Sequence, residues 1–397
     1  MKWKPDEKGK NMKTGKSLED LARTIKEQAA MKHDFIAPSE LFNLSFSASL
    51  KKLMLGYANN NVHMVTSLIK KDFVLSDTAM RNIADYCKIP QKYWNYLNSL
   101  NHVEAVQLLC RCTDFGMQKI YLPENQKRMF RTYKANDTND LTQDILRCML
   151  SPSYRRLDNE EVAETVLPVL LDGNDAGRYE IISSEITEKK LYIKAVNKSV
   201  QKEISRGDVV ESGVIIRNSE TGEGMFDISP FLNFLFCDNG MVVADQAMKT
   251  RHLMSSQAND NEIFQMLTDE TKQKENEVIL SKCRDVLVGC MKQEQFERNV
   301  NRLVEAKTQV IEKPLQTVDI LSKSFGLSDF EKESVLDRIV NKAEERDRVN
   351  GMATILTFIN AFTNVGNDLS DYDRATDFQQ MGGVILTMHP KKLSRVA

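Results

Sequence analysis

Hydrophobic positions keep a helical period at both ends of the chain and alternate in between. Ser17 stands as an N-cap with Asp20 three residues on. Leu18, Leu21, Ala22 and Ile25 then recur at helical spacing until Pro38 breaks the pattern. Ser76 caps a second helix with Ala79, Ile83 and Tyr86 on one face, and Pro90 opens a third with Tyr93, Trp94 and Leu97. From about residue 104 the period becomes two. Val106, Leu108 and Cys110 alternate, as do Lys119-Ile-Tyr-Leu and Met129-Phe-Arg-Thr-Tyr, which predicts strands.

After Asp158-Asn-Glu-Glu, the spacing of Val162, Val166, Leu167 and Leu170 predicts a helix. Two hairpins follow. Tyr179–Ile186 and Leu191–Val196 flank Thr187-Glu-Lys-Lys, and Gly213–Arg217 and Met225–Ser229 flank Asn218-Ser-Glu-Thr-Gly-Glu-Gly. Phe231–Phe236 fits helix or strand. Beyond residue 255 the pattern is helical: Ile279, Cys283, Val286, Leu287 and Cys290 share one face, and so do Phe296, Val300, Leu303 and Val304. Ser328 with Glu331 forms a capping box before Val335, Leu336, Ile339 and Val340, and Lys342–Arg348 is expected as a solvated helix end. Gly351–Phe362 is apolar on all sides and predicts a buried helix, and Tyr372–Leu386 predicts one more.

These elements predict a mixed α+β fold, a central and mostly antiparallel sheet flanked by helices, with a long helical C-terminal section. Residues 1–30 are a flexible basic lead and short helix, 31–103 an N-terminal helical part, 104–254 a β-rich core, and 255–397 a helical section packing back on that core. Composition narrows the function only by exclusion. The 397 residues carry a formal net charge of -2, so any nucleic-acid footprint must be a local patch. No stretch approaches the roughly 20 apolar residues a membrane span needs. The seven cysteines are odd in number and follow a charged start with no secretory leader, which predicts free thiols in a cytoplasmic protein.

Metal and nucleotide signals are weak. None of the five histidines pairs with another at three to five residues, and Cys110-x-Cys112 has no matching second pair. Gly222-Glu-Gly224 lies in a hairpin turn without the helix that cradles phosphate, so its glycines are read as turn residues. No metal or cofactor is expected. Cys237, Asp238 and His252 could form a thiol nucleophile with its partners, although Asp238-Asn-Gly reads more simply as a turn. The positive clusters carry more. Arg147–Leu157 holds Arg147, Arg155 and Arg156 beside Tyr154 and contains no acid. Lys249, Arg251 and His252 form a second cluster, and Arg217 and Asn218 open a turn between them. Arginine with a stacking aromatic and loop amides suits phosphate and single-stranded bases. The plainer alternative is ion pairing with Asp158 or Glu160.

Three segments carry a resemblance: Leu150-Ser-Pro-Ser-Tyr-Arg-Arg-Leu-Asp-Asn159, Gly207–Gly222, and Phe236-Cys-Asp-Asn-Gly-Met241 followed by Arg251-His252. In this order and spacing they resemble the core of the family called domain of unknown function 932. The Gly351–Val384 stretch is similar to that family's C-terminal helix, and the Leu75–Pro90 corner to its N-terminal part, so the likeness covers roughly residues 75–385. The polar stretch around Lys134–Thr142 and Asp238, where a threonine is more usual, depart from it. The resemblance implies a phage or plasmid setting and leaves the mechanism open.

The leading expectation is a non-catalytic nucleic-acid-binding protein, acting on single-stranded DNA in recombination or replication. Arg147, Arg155, Arg156, Arg217, Asn218, Lys249, Arg251 and His252 would meet the nucleic acid, and Tyr154 would stack a base. The alternatives are a protein-interaction factor that modulates host defence or a mobile-element process, and a thiol-dependent hydrolase. A homo-oligomer and a protein partner are compatible with each; a membrane partner is not expected.

Overall fold

The computed structural model describes residues 17–47, 52–57, 72–100, 102–118, 127–135, 143–172, 179–205, 208–235, 239–243, 248–250 and 269–388. The fold is mixed α+β, built on two six-stranded sheets. The first sheet uses β1 (Phe35–Pro38), β2 (Phe42–Ser47), β3 (Lys52–Tyr57), β4 (Phe73–Leu75), β5 (Lys127–Tyr133) and β6 (Ile145–Leu150), in the order β1-β5-β6-β4-β3-β2. All its pairs are antiparallel except β4 with β6. Helices α2 (Asp77–Tyr86), α3 (Gln91–Ser99) and α4 (Val103–Gln118) share its core, where Trp94, Leu109 and Ile83 meet Phe42, Phe130 and Leu55.

The second sheet is antiparallel throughout. It runs β11 (Asn239–Val242), β10 (Phe226–Phe234), β9 (Asp208–Asn218), β8 (Leu191–Ser205) and β7 (Glu180–Ile186), with β12 (Met248–Thr250) also paired to β10. Alternation along these strands produces two apolar faces. Ile193, Ile216 and Ile228 pack with α1 (Leu18–Met31), α5 (Asn159–Asp172) and α6 (Asp269–Cys290). Tyr192, Ile215 and Phe231 cluster with Tyr372 at the start of α11 (Tyr372–Thr387). At the far end Val210, Leu232 and Phe234 join a larger core with α7 (Gln293–Thr308), α8 (Pro314–Phe325), α9 (Asp329–Val340) and α10 (Ile355–Asp368). Helix α11 crosses β11 so closely that a Cβ on Gly383 would lie 1.8 Å from the Val242 carbonyl oxygen. Only glycine permits that approach.

The caps follow the sequence. Ser17, Ser76 and Ser328 each accept from a backbone N–H of their helix, and Ser328 with Glu331 completes a capping box. Three expectations are corrected. Residues 106–112 are helical within α4: Val106, Leu109 and Thr113 are buried while Leu108 is exposed, a helical and not an alternating pattern. Residues 31–103 supply four strands besides α2 and α3, so the β-rich region begins earlier than residue 104. Helix α9 ends at Val340, and Glu345–Asp347 is a 3-10 turn whose buried Asp347 accepts from Asn360. The six described cysteines are free thiols. No helix among the described residues is long and apolar enough to cross a membrane.

Candidate anion site at the seam of the two sheets

The turn between β9 and β10 does not hang in solvent. Asn218, Ser219, Glu220 and Thr221 are all at most 2% exposed, because the turn inserts against the first sheet. Gly222 supplies the positive φ of 81° that the turn requires. A buried carboxylate needs compensating partners, and Glu220 has three. Lys32 Nζ and the Asn159 N–H donate to its Oε1, both at 2.7 Å, and Arg147 Nη2 donates to Oε2 at 2.6 Å. The fully buried Arg131 spans the same seam, donating to Asp34 at 2.8 Å, to the Glu220 carbonyl at 2.9 Å and to Asp158 at 2.5 Å. Three cations thus face three carboxylates in the interior.

Their titration follows from this pairing. Burial works against ionisation of Asp158, but Arg131 and Lys32 outweigh it and hold its carboxyl down at about 2. Burial opposes ionisation of Glu220 as well, and Arg147 leads the groups that pull it below the usual carboxylate range. The neighbouring Cys148 thiol goes the other way, pushed up to about 12 by burial, so it is no ready nucleophile.

A cavity of about 350 Å³ opens at this seam. Four cationic residues line it (Lys52, Arg147, Lys189 and Lys190) against two carboxylates, Glu188 and Glu220. Arg147 and Lys32 are matched to Glu220, and Lys189 lies 4.0 Å from Asp373, which leaves Lys52 and Lys190 against Glu188. Arg147 is 8% exposed, lies with its guanidinium 4.2 Å over the Tyr133 ring, and has a buried Nη1 with no hydrogen-bond partner. An unpaired buried donor on a guanidinium is costly, and the Tyr133 ring beneath the guanidinium offsets part of that cost. Ser76 also lines the cavity, at the N-terminus of α2. Its hydroxyl donates to the Arg147 carbonyl at 2.7 Å and accepts from the Ala79 N–H at 3.1 Å. Glu188, on the β7–β8 turn, accepts from the next free amide, Thr78 N–H, at 2.8 Å.

The expected site residues are divided by the fold. Arg147 reaches the cavity. Arg217 does not: it is buried on the second sheet and donates through Nε to Asp227 at 2.8 Å, with a second contact through Nη2. Asn218 is fully buried and ties Leu157 to Asn159 with two 2.9 Å bonds. Tyr154 is 5% exposed and donates to the Ser219 carbonyl at 2.9 Å, so it has no open face for a base. Arg155 pairs with Glu275 at 2.8 Å. Arg156 is exposed. Arg155 and Arg156 do line a second cavity of about 300 Å³, together with Asp158 and Glu161. Lys249 lies on β12 opposite Asp227. The side chain of Lys249, and Cys237, Asp238, Arg251 and His252, lie outside the described residues.

Lys52, Lys189 and Lys190 were missed by the sequence reading. The Thr187-Glu-Lys-Lys turn was the available signal, since two adjacent lysines at a hairpin tip face whatever the turn packs against. Lys52 gave none.

The architecture defines a mixed α+β protein in which two sheets clasp a buried charge network beneath a basic cleft. The family described as Domain of unknown function (DUF932) matches residues 148–369. That is more than half of the chain, which therefore belongs to this family. The matched segment holds the second sheet, Glu188–Lys190 and Glu220, whereas Lys52, Ser76 and Arg147 come from the preceding part. No curated protein and no solved structure matches the chain.

Proposed function

We propose that this protein binds nucleic acid without catalysing a reaction, holding phosphate at the cleft between the sheets. The observation that carries this is a cavity of about 350 Å³ rimmed by Lys52, Lys189 and Lys190, with Arg147 in its wall. Lys52 and Lys190 have no ion-pair partner among the described residues, so their charge is available to a ligand. The contact surface is therefore Arg147, Lys52, Lys189 and Lys190, in place of the wider arginine set with Tyr154. A phage or plasmid product working on DNA in the host cytoplasm, during replication or recombination, is the setting that the family resemblance implies, and it suits such a ligand.

The test is filter binding of single- and double-stranded DNA across a salt series. Retention should fall steeply with salt, and Lys52→Ala and Lys190→Ala should each flatten the slope by about one unit for all sequences alike. Absence of retention at low salt would end the proposal. It would favour a second reading, a protein-interaction factor, which draws on the exposed Tyr93 and Tyr96 of α3 and Leu100 at its C-cap.

A further inference from the structure

We propose that the solvent-facing side of α4 is a dimer interface: two copies of this chain pack α4 against α4 in antiparallel, across a two-fold axis beside Leu108.

Large apolar side chains stay exposed more densely here than elsewhere among the described residues. Tyr93, Tyr96, Leu100, Val103, Leu108 and Phe115 all fall on α3, on α4 or at the join between them. The inner face of α4 is filled without them. Val106, Leu109, Thr113 and Met117 are buried there. Gly116 brings the helix so close to the end of α2 that a Cβ on it would lie 2.5 Å from the Cβ of Cys87. On the opposite side Glu104, Leu108, Arg111 and Phe115 are exposed. They follow one another at steps of four, three and four, which sets them in one stripe of an α-helix. Leu108 is 44% exposed and Phe115 56%. The outward face of a surface helix is ordinarily polar, whereas this spacing is the one along which two helices meet.

The charges on the stripe select a second copy as the partner. Glu104 and Arg111 are opposite in sign, and neither forms an ion pair with another described residue. Along the axis they stand about 10.5 Å apart, with Leu108 between them. In an antiparallel pair centred beside Leu108, Glu104 of each copy faces Arg111 of the other. That contact is made twice, as a two-fold interface requires. The same register brings the two Leu108 side chains together at the axis and sets Phe115 of each copy opposite Leu100 of the other. A parallel pair would instead oppose glutamate to glutamate and arginine to arginine. The remaining exposed positions of this face, Gln107 and Gln118, are uncharged and favour neither arrangement. One helix stripe is smaller than the roughly 800 Å² that a stable interface buries on each partner. Tyr93 and Tyr96 of α3, which packs beside α4, supply the further apolar area.

The experiment is sedimentation velocity of the full chain over a wide micromolar concentration series, with a thermal melt of each variant as the check on folding. The wild type should sediment as a dimer that dissociates on dilution. Leu108→Asp places two carboxylates at the axis and should be monomeric throughout. Glu104→Arg and Arg111→Glu each turn both reciprocal pairs into repulsions, and each should weaken the dimer by roughly tenfold or more. Carrying both swaps in one chain restores the pairs and should recover the dimer. An equimolar mixture of the two single variants should recover it as well. All these positions are exposed, so the melts should match the parent. A wild type that is monomeric at every concentration overturns the proposal. So does a dimer that survives Leu108→Asp, or one that the single swaps weaken and the double swap fails to restore.

Discussion

The seam between the sheets and the packing around α10 are both interior, and they are held in opposite ways. At the seam, Lys32, Asp34, Arg131, Arg147, Asp158 and Glu220 meet through directed bonds, with Arg131 fully buried. Around α10, Leu356, Phe358, Ile359 and Phe362 are all 0% exposed and touch mostly apolar neighbours. Dispersion and water exclusion are non-directional and degrade gradually when atoms are trimmed. A charge network fails abruptly, because removing one member strands the others without compensation. The same network gives the cleft a fixed electrostatic floor, which an apolar interior could not do.

The comparison is most exposed at Arg131. Arg131→Met leaves Asp34 and Asp158 without their shared guanidinium and should cost about 3–5 kcal/mol by urea unfolding. A near-neutral result would show that the seam is solvated and the contrast false. The next effect is acid sensitivity. Asp158 titrates at about 2 in the fold against an ordinary 3.8, and Glu220 is lowered too. The unfolded chain therefore binds protons first as pH falls, so this stabilisation is complete above about pH 4.5 and is lost as pH falls through about 2. The Asp158 part is on the order of 2 kcal/mol. Urea midpoints between pH 5 and 2.5 should show the loss in the wild type and much less of it in Arg131→Met. The smallest effect belongs to the apolar region. Ile359→Val should cost about 0.5–1.5 kcal/mol with no added pH dependence, and a larger loss would mean that α10 is as intolerant as the seam.

The elements most legible in the sequence were those whose signals are local. The hairpin around Thr187–Lys190, the Ser76 and Ser328 caps and the buried helix near Phe358 need only neighbours along the chain. Helix α4 was read as a strand because Val106, Leu108 and Cys110 also fit alternation. A short apolar run does not separate the two periods, and Leu109 with Thr113 decides it only once the packing is known. The surroundings of the candidate site were hidden for a related reason. Arg147–Leu157 contains no acid, yet Arg147 finds Glu220 and Arg155 finds Glu275. Local absence of acid therefore gives no measure of free charge. Likewise the Asn218–Gly224 turn reads as a hairpin turn, and nothing in its composition announces that Glu220 is a buried partner.

The bond from Lys32 to Glu220 spans 188 residues, which gives the seam a place in time as well as in space. A chain emerging from the ribosome at roughly 5–20 residues per second needs ~10–40 s after Lys32 appears before Glu220 exists. Arg147 itself precedes Glu220 by 73 residues, so for the last ~4–15 s of that interval Arg131 and Arg147 lack the carboxylate that links their sheet to the second. Long-range closure of this kind is slow because its entropy must be met before any contact rewards it. The cleft accordingly waits on the second sheet, although the helices around α10 come later still. Its cations spend the early life of the chain open to whatever polyanion is nearby, ribosomal RNA included.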